Sequence, residues 1–215
     1  MSRIAYSIIL CCAVATASFA SFNGTDYDDY QETVIFLKKQ VGLGQNVFIR
    51  GGFGNVSGCL TVGTPYDGDP CAIPIVHLDL DMAPGVTALR DALVDSDDFL
   101  SWSGPEPNQN QGAEGTPAQI TSSDQSQSLF QKLNKYGSDY WLVRVLMDCS
   151  ELANYNGFFD VKGFYYGELE EDVSQGQCTG DAAETAPYTS GNHVARCGYI
   201  NVFEWGSSNC RMESF

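Results

Sequence analysis

Apolar and polar residues along this chain sort into short runs separated by connections rich in glycine, proline and aspartate. Thr33-Val34-Ile35-Phe36-Leu37-Lys38 and Val47-Phe48-Ile49 are continuous apolar runs, a pattern that suits strands buried on both faces. The second run is entered through Gly44-Gln45-Asn46 and left through Gly51-Gly52, and the two predict the first paired strands of a β domain. A glycine pair at that exit serves a plain turn, its commoner use, or the close approach of a ligand. Ala72-Ile73-Pro74-Ile75-Val76-His77-Leu78-Asp79 reads as a third strand. Pro74 cannot donate to a ladder and moves that strand towards a sheet edge.

The pattern then changes period. Val86, Leu89, Leu93 and Val94 recur at helical spacing, which predicts a short amphipathic helix over 85–95 stopped by Asp95-Ser96-Asp97-Asp98. Residues 103–128 form the longest irregular stretch, and a loop of that length in a compact domain is functional or disordered. Leu129, Phe130 and Leu133 suit one or two helical turns after a capping Ser123 or Asp124. Strict alternation returns in Tyr140–Cys149, where Trp141, Val143, Val145 and Met147 share a face. In Phe158–Tyr166, Phe159, Val161 and Tyr165 oppose Asp160 and Lys162. The link between those strands ends in Asn156-Gly157, a hairpin signal. An acidic loop, 168–190, leads to a closing strand over His193–Trp205. Together these predict a mainly β fold: an antiparallel, Ig-like β-sandwich over 33–215 with one or two short helices in its loops.

Composition adds a compartment. A cationic start at Arg3, an apolar run from Ile4 to Ala15 and small residues ending at Ala17 or Ala20 predict a signal peptide over 1–20. Residues 21–32 then read as a flexible acidic lead-in, and no later apolar run is long enough for a membrane helix. The expected product is secreted, extracellular and monomeric. Loss of Cys11 and Cys12 leaves six of the eight cysteines, the complement of three disulfides in an exported chain. Cys59 and Cys71 flank a local loop. Cys149 and Cys197 lie at predicted strands and suit a core staple, and Cys178 and Cys210 remain for each other. No C-x-x-C spacing favours zinc instead. Asn23 and Asn55 open glycosylation acceptor sequences.

Charge and motifs exclude whole classes of function. With 27 acidic residues against 11 basic ones, the chain is unsuited to nucleic acid or an anionic membrane. It has no G-x-S-x-G, H-E-x-x-H or phosphate-cradling glycine loop, so no catalytic residue is assigned. His77 beside Asp79 and Asp81 is a weak candidate metal set against the plainer reading of a bonded polar group. Asp67-Gly68-Asp69 and Asp95–Asp98 are compatible with structural calcium, without EF-hand spacing. No other cofactor is called for. Trp102 stands at the mouth of the long loop with Glu106, Asn108 and Gln109 behind it. A sugar ring packs its apolar face on an indole while amides and carboxylates take its hydroxyls, so these four form a candidate carbohydrate site. The plainer alternative is a Trp packed inward. Trp141 alternates with core residues, and Trp205 is open to either role.

Gly44–Phe48, Trp102, Trp141–Val145, Phe158–Tyr166 and Asn201–Trp205 are loosely similar to starch-binding β-sandwich modules. A closer set of blocks comprises Gly44–Gly52, Cys71–His77, Trp102–Glu106 with Gly115-Thr116-Pro117, Asp148-Cys149 and Ser190–Phe203. Over nearly the whole mature length these resemble a cysteine-bearing accessory domain attached to some α-amylase-type glycoside hydrolases. The chain departs from that pattern at Phe53-Gly54-Asn55, where Ile-Asp-His is expected, and in carrying Cys178 and Cys210. The resemblance implies a secreted non-catalytic module whose partner is a polysaccharide or oligosaccharide, with α-glucan the expected one. Two other readings stand beside it. One is an acidic calcium-binding matrix protein. The other is a small α-amylase-related hydrolase, although the catalytic barrel of those enzymes needs about 250 residues.

Overall fold

The computed structural model describes residues 27–54, 69–82 and 88–215. Their strands form two sheets. The first is built from β1 (Tyr30–Lys38), β3 (Ile73–His77), β4 (Phe99–Leu100), β6 (Gln119–Thr121), β7 (Tyr140–Asp148), β11 (Ile200–Glu204) and β12 (Cys210–Glu213). Its order is β12-β11-β1-β7-β3-β4, with β6 also paired to β7. The second sheet contains β2 (Val47–Gly52), β5 (Thr116–Pro117), β8 (Phe158–Tyr165), β9 (Glu168–Leu169) and β10 (His193–Arg196). Its order is β10-β8-β2-β5, with β9 also on β8. Among the described residues no helix is long and apolar enough to cross a membrane.

One core joins the sheets. Ile35 and Leu37 of β1, Trp141, Val143, Val145 and Met147 of β7, and Phe203 of β11 pack with Val47 and Ile49 of β2 and Phe159 and Val161 of β8. The alternation read in β7 is therefore borne out. Its other face joins a second cluster, in which Val34, Phe36, Tyr140, Leu142 and Val202 lie under Met82, Leu133 and Tyr136. That covering explains the unbroken apolar run Val34–Leu37, since both faces of β1 are buried. The disulfides Cys149–Cys197 and Cys178–Cys210 are formed as expected. The first closes a separation of 48 residues, which by chain entropy contributes about 4 kcal/mol. Cys59 and its pairing with Cys71, the leader 1–20, Asn23 and Asn55 lie outside the described residues.

Several local expectations are corrected by where the chain crosses between sheets. β1 and β2 are not partners: the link after Lys38 turns at Gly42–Gln45 and delivers β2 to the second sheet. Gly51-Gly52 is not a turn but part of β2. A Cβ on Gly51 would lie 2.4 Å from the Asp160 carbonyl oxygen, and one on Gly52 2.2 Å from that of Cys71, so the protein's own backbone fills the space. β7 and β8 do not form a hairpin. A 3-10 helix over Ser150–Tyr155 separates them, and Asn156 (φ 56°) and Gly157 (φ 81°) provide its left-handed exit. The predicted closing strand is two strands, β10 and β11, split at Cys197-Gly198 and placed in different sheets. β11 runs parallel to β1, so the first sheet is mixed rather than antiparallel. Described residues of the predicted helix 85–95 hold only a 3-10 segment, Leu89–Ala92, and Asp124 closes an Asx turn on Ser126 instead of capping a helix.

The free edge of β10 is covered by side chains. The Gln175 carboxamide accepts from Val194 N–H at 2.9 Å and donates to its carbonyl at 3.0 Å. Asn201 does the same for Arg196, at 2.7 and 2.9 Å. Buried Asn201 also donates to the Val34 carbonyl, tying the crossing point to β1. Most of the block Ser190–Phe203 is thereby given a role in holding the fold.

Candidate functional site

The four residues of the candidate carbohydrate loop do not share one surface. Glu106 is buried and its Oε1 accepts from the backbone N–H of Asp98 and Phe99, at 2.9 and 2.7 Å. Burial pushes its carboxyl up to about 7. Gln109, also buried, accepts from Glu106 N–H and donates to the Leu93 carbonyl. Both hold the loop closed and present no group outward. Trp102 is half-buried, with its indole nitrogen against Gly52. Asn108 alone is exposed, in a left-handed turn (φ 72°).

His77 is likewise engaged inward. Its Nε2 lies 2.7 Å from Asp97 Oδ2, and its Nδ1 lies 2.6 Å from Arg90 Nη1. Arg90 donates to Nδ1, so the proton on the ring sits at Nε2 and is given to Asp97. Arg90 also bonds the Leu78 carbonyl. Burial, then the Arg90 charge, lowers His77 to about 3, while burial raises Asp97 to about 8. Asp79 accepts from Asp81 N–H, and Asp81 pairs with Lys132 at 2.6 Å and Arg144 at 3.3 Å. The three residues proposed as a metal set are thus directed to separate partners. Among the described residues no three His, Cys, Asp or Glu side chains gather in a way that could hold a metal ion.

The second histidine, His193, places Nε2 3.1 Å from Glu170 Oε1 and stacks on Phe203 at 4.6 Å. Burial pushes the Glu170 carboxyl up, but bonds from His193, Gly163 N–H and Gly206 N–H outweigh it and leave the group below its ordinary range. Glu170 therefore pins β8, β10 and the turn after β11 together.

Aromatic side chains face outward at a different place. β8 and β9 are joined by the two-residue turn Tyr166-Gly167, with φ 52° and 82°, the geometry of a type I′ hairpin. Asn is the usual residue at the first of those positions. A tyrosine there costs roughly 1 kcal/mol of backbone strain, and its ring is 77% exposed. Tyr165 lies 6.2 Å from Tyr166 and 6.4 Å from Trp205, ring centre to ring centre. Lys39 Nζ stands 3.6 Å from the Trp205 ring and 4.9 Å from that of Tyr165. Gln45 joins the group by accepting from the Tyr165 hydroxyl and from Gly42 N–H, which fixes the turn carrying the fully exposed Leu43. Leu169 of β9 is exposed beside them. Trp205 is held flat on the backbone of Gly163, where a Cβ would come within 2.3 Å of the indole.

The result is a half-exposed aromatic end with one cation held over its rings and an amide at its border. Sequence reasoning assigned Tyr165 to a packed face and left Trp205 open. The available signal was Tyr166 before glycine between two strands, a turn position at which an aromatic has no packing reason to be. No protein-family model, curated protein or solved structure matches this chain.

Proposed function

We propose that this protein is a secreted, non-catalytic carbohydrate-binding module, a two-sheet sandwich of the starch-binding-like kind that takes an α-glucan on its aromatic end. The observation that carries the reading is Tyr166: a strained, exposed ring beside Tyr165, which in turn meets Trp205. Sugar rings offer apolar faces to such platforms and hydroxyls to the amides and charges at their border. Gln45 and Glu168 are the polar groups at hand here, Gln45 beside Tyr165 and Glu168 next to the turn. The resemblance to accessory domains of α-amylase-type hydrolases supports the choice of α-glucan, and the net charge of −16 is compatible with a neutral ligand. The test is a pull-down of residues 21–215 on insoluble starch, cellulose and chitin, with and without a calcium chelator. Retention on starch that soluble maltooligosaccharide competes away, and that Tyr166→Ala removes, is the expected result. Passage through all three supports without retention overturns the reading. Loss of retention with chelator moves the assignment to calcium.

A further inference from the structure

Among the described residues, every Lys and Arg side chain except one is engaged in a hydrogen bond or an ion pair. Lys39 is the exception. Its ammonium meets only the rings of Trp205 and Tyr165, and its three N–H donors bond no protein group. A chain of net charge −16 has no shortage of carboxylates, so a cation kept clear of them is not short of counter-charge.

The backbone fixes this ammonium from behind. Lys39 directly follows β1, its N–H donates to the Asp139 carbonyl at 2.9 Å, and its own carbonyl accepts from Trp141 Nε1 at 2.9 Å. Trp205, the ring against it, has its N–H on the Lys38 carbonyl at 3.1 Å. Burial pulls the Lys39 ammonium below its ordinary range, and the attraction of Glu170 and Glu168 offsets this only in part. Glu170 is already spent on His193, Gly163 and Gly206. Glu168 is exposed and lies opposite Tyr165 across the hairpin, and directly opposed residues of an antiparallel pair share a face.

One set of rings is thus flanked by a donor-only cation and an acceptor-only anion that attract through space without pairing. An anionic ligand suits the first and is repelled by the second, and a cationic ligand meets the reverse. A hydroxyl suits both, since it accepts from the ammonium while donating to the carboxylate. We propose that Lys39 is the specificity-determining residue of the aromatic end, donating to hydroxyl oxygens of a neutral sugar unit whose hydroxyl hydrogens Glu168 takes. This rests on the glucan reading above and narrows it: the rings supply contact, and the Lys39–Glu168 pair selects uncharged polyhydroxyl ligands over uronic or sulfated ones.

The test is calorimetric titration of residues 21–215 with maltoheptaose and with a galacturonate oligomer of similar length. Lys39→Met keeps the stem over Trp205 and removes the charge and the donors. It should weaken maltoheptaose binding by at least about tenfold, the equivalent of one charge-assisted hydrogen bond. Its melting temperature should move by about 3 °C or less. Lys39→Arg should keep most of the affinity. Glu168→Gln should weaken maltoheptaose binding and strengthen galacturonate binding, a change of preference that a purely structural role would not produce. If the parent binds maltoheptaose and Tyr166→Ala does not, equal affinity of Lys39→Met and the parent overturns this inference and leaves the platform standing. Tighter binding of galacturonate than of maltoheptaose by the parent also overturns it. A parent that binds neither overturns the platform reading and this inference with it.

Discussion

The loop that carries Trp102 and the hairpin that carries Tyr166 offer similar inventories, an aromatic ring with amides and carboxylates close by. They use them in opposite directions. In the first, Glu106 and Gln109 bond the backbone at Asp98, Phe99 and Leu93, so the polar groups are consumed in closing a long connection. In the second, β8 and β9 have already satisfied the backbone, and the side chains of Tyr166, Leu169 and Leu43 have nothing left to hold. A cluster of binding-type residues is informative only after the backbone around it has been accounted for. Where a loop lacks strand partners, its amides and acids are its scaffolding.

That contrast can be broken by substitution. Gly163→Ala should have the largest effect, because the new methyl strikes both Trp205 and Leu37 and touches core and platform together. A loss of about 2–3 kcal/mol in urea unfolding, with loss of starch retention, is expected. Glu106→Ala leaves two backbone donors unmet and should cost about 2 kcal/mol, a drop of roughly 5 °C in melting temperature. Retention per folded molecule should stay at the parent level, and Trp102→Ala should also retain starch. Tyr166→Asn inverts the pattern: relief of left-handed strain should stabilise by about 1 kcal/mol while retention falls. A stabilised variant that still binds would remove the hairpin from the site.

The same buried groups also predict a pH slope. Glu106 is raised from 4.5 to about 7, so its contribution is present at acid pH and fades as pH rises through that interval. Asp97 and His77 must be taken together. Folding moves a proton from the imidazole to the carboxyl, which leaves the count unchanged between about 4 and 6.5. Above 6.5 the unfolded histidine is neutral while folded Asp97 still holds its proton, so stability falls towards pH 8. Urea unfolding at a series of pH values should show decline from about 4.5 to 8. Asp97→Asn should flatten the upper part of that curve and Glu106→Gln the lower part.

What could be read from sequence was local and periodic. Trp141, Val143, Val145 and Met147 declare their shared face through spacing alone, and Cys149 and Cys197, each one residue past a strand, declared a staple. Partnership could not be read. Asn156-Gly157 supplies the same left-handed pair to a helix exit as to a hairpin turn, so the residues cannot say which. The true type I′ turn hid behind a tyrosine. Asp160 and Lys162 were expected to face away from the core, yet both are buried, under Ser190, Asn192 and Asp172 from a loop that no periodicity describes. At the proposed site the legible part was the residue types. Their positions depended on which sheet each strand joined.

The parallel pairing of β1 with β11 carries a consequence for biogenesis. Val34 lies opposite Ile200, so one long side of β1 stays unfilled until residue 200 has been made. The apolar stretch Val34–Leu37 must wait through the synthesis of about 160 further residues, some ten to thirty seconds at ordinary ribosomal speeds. A truncated or stalled product therefore exposes its stickiest segment. Emergence of β11, rather than stepwise growth along the chain, is the event that closes β1.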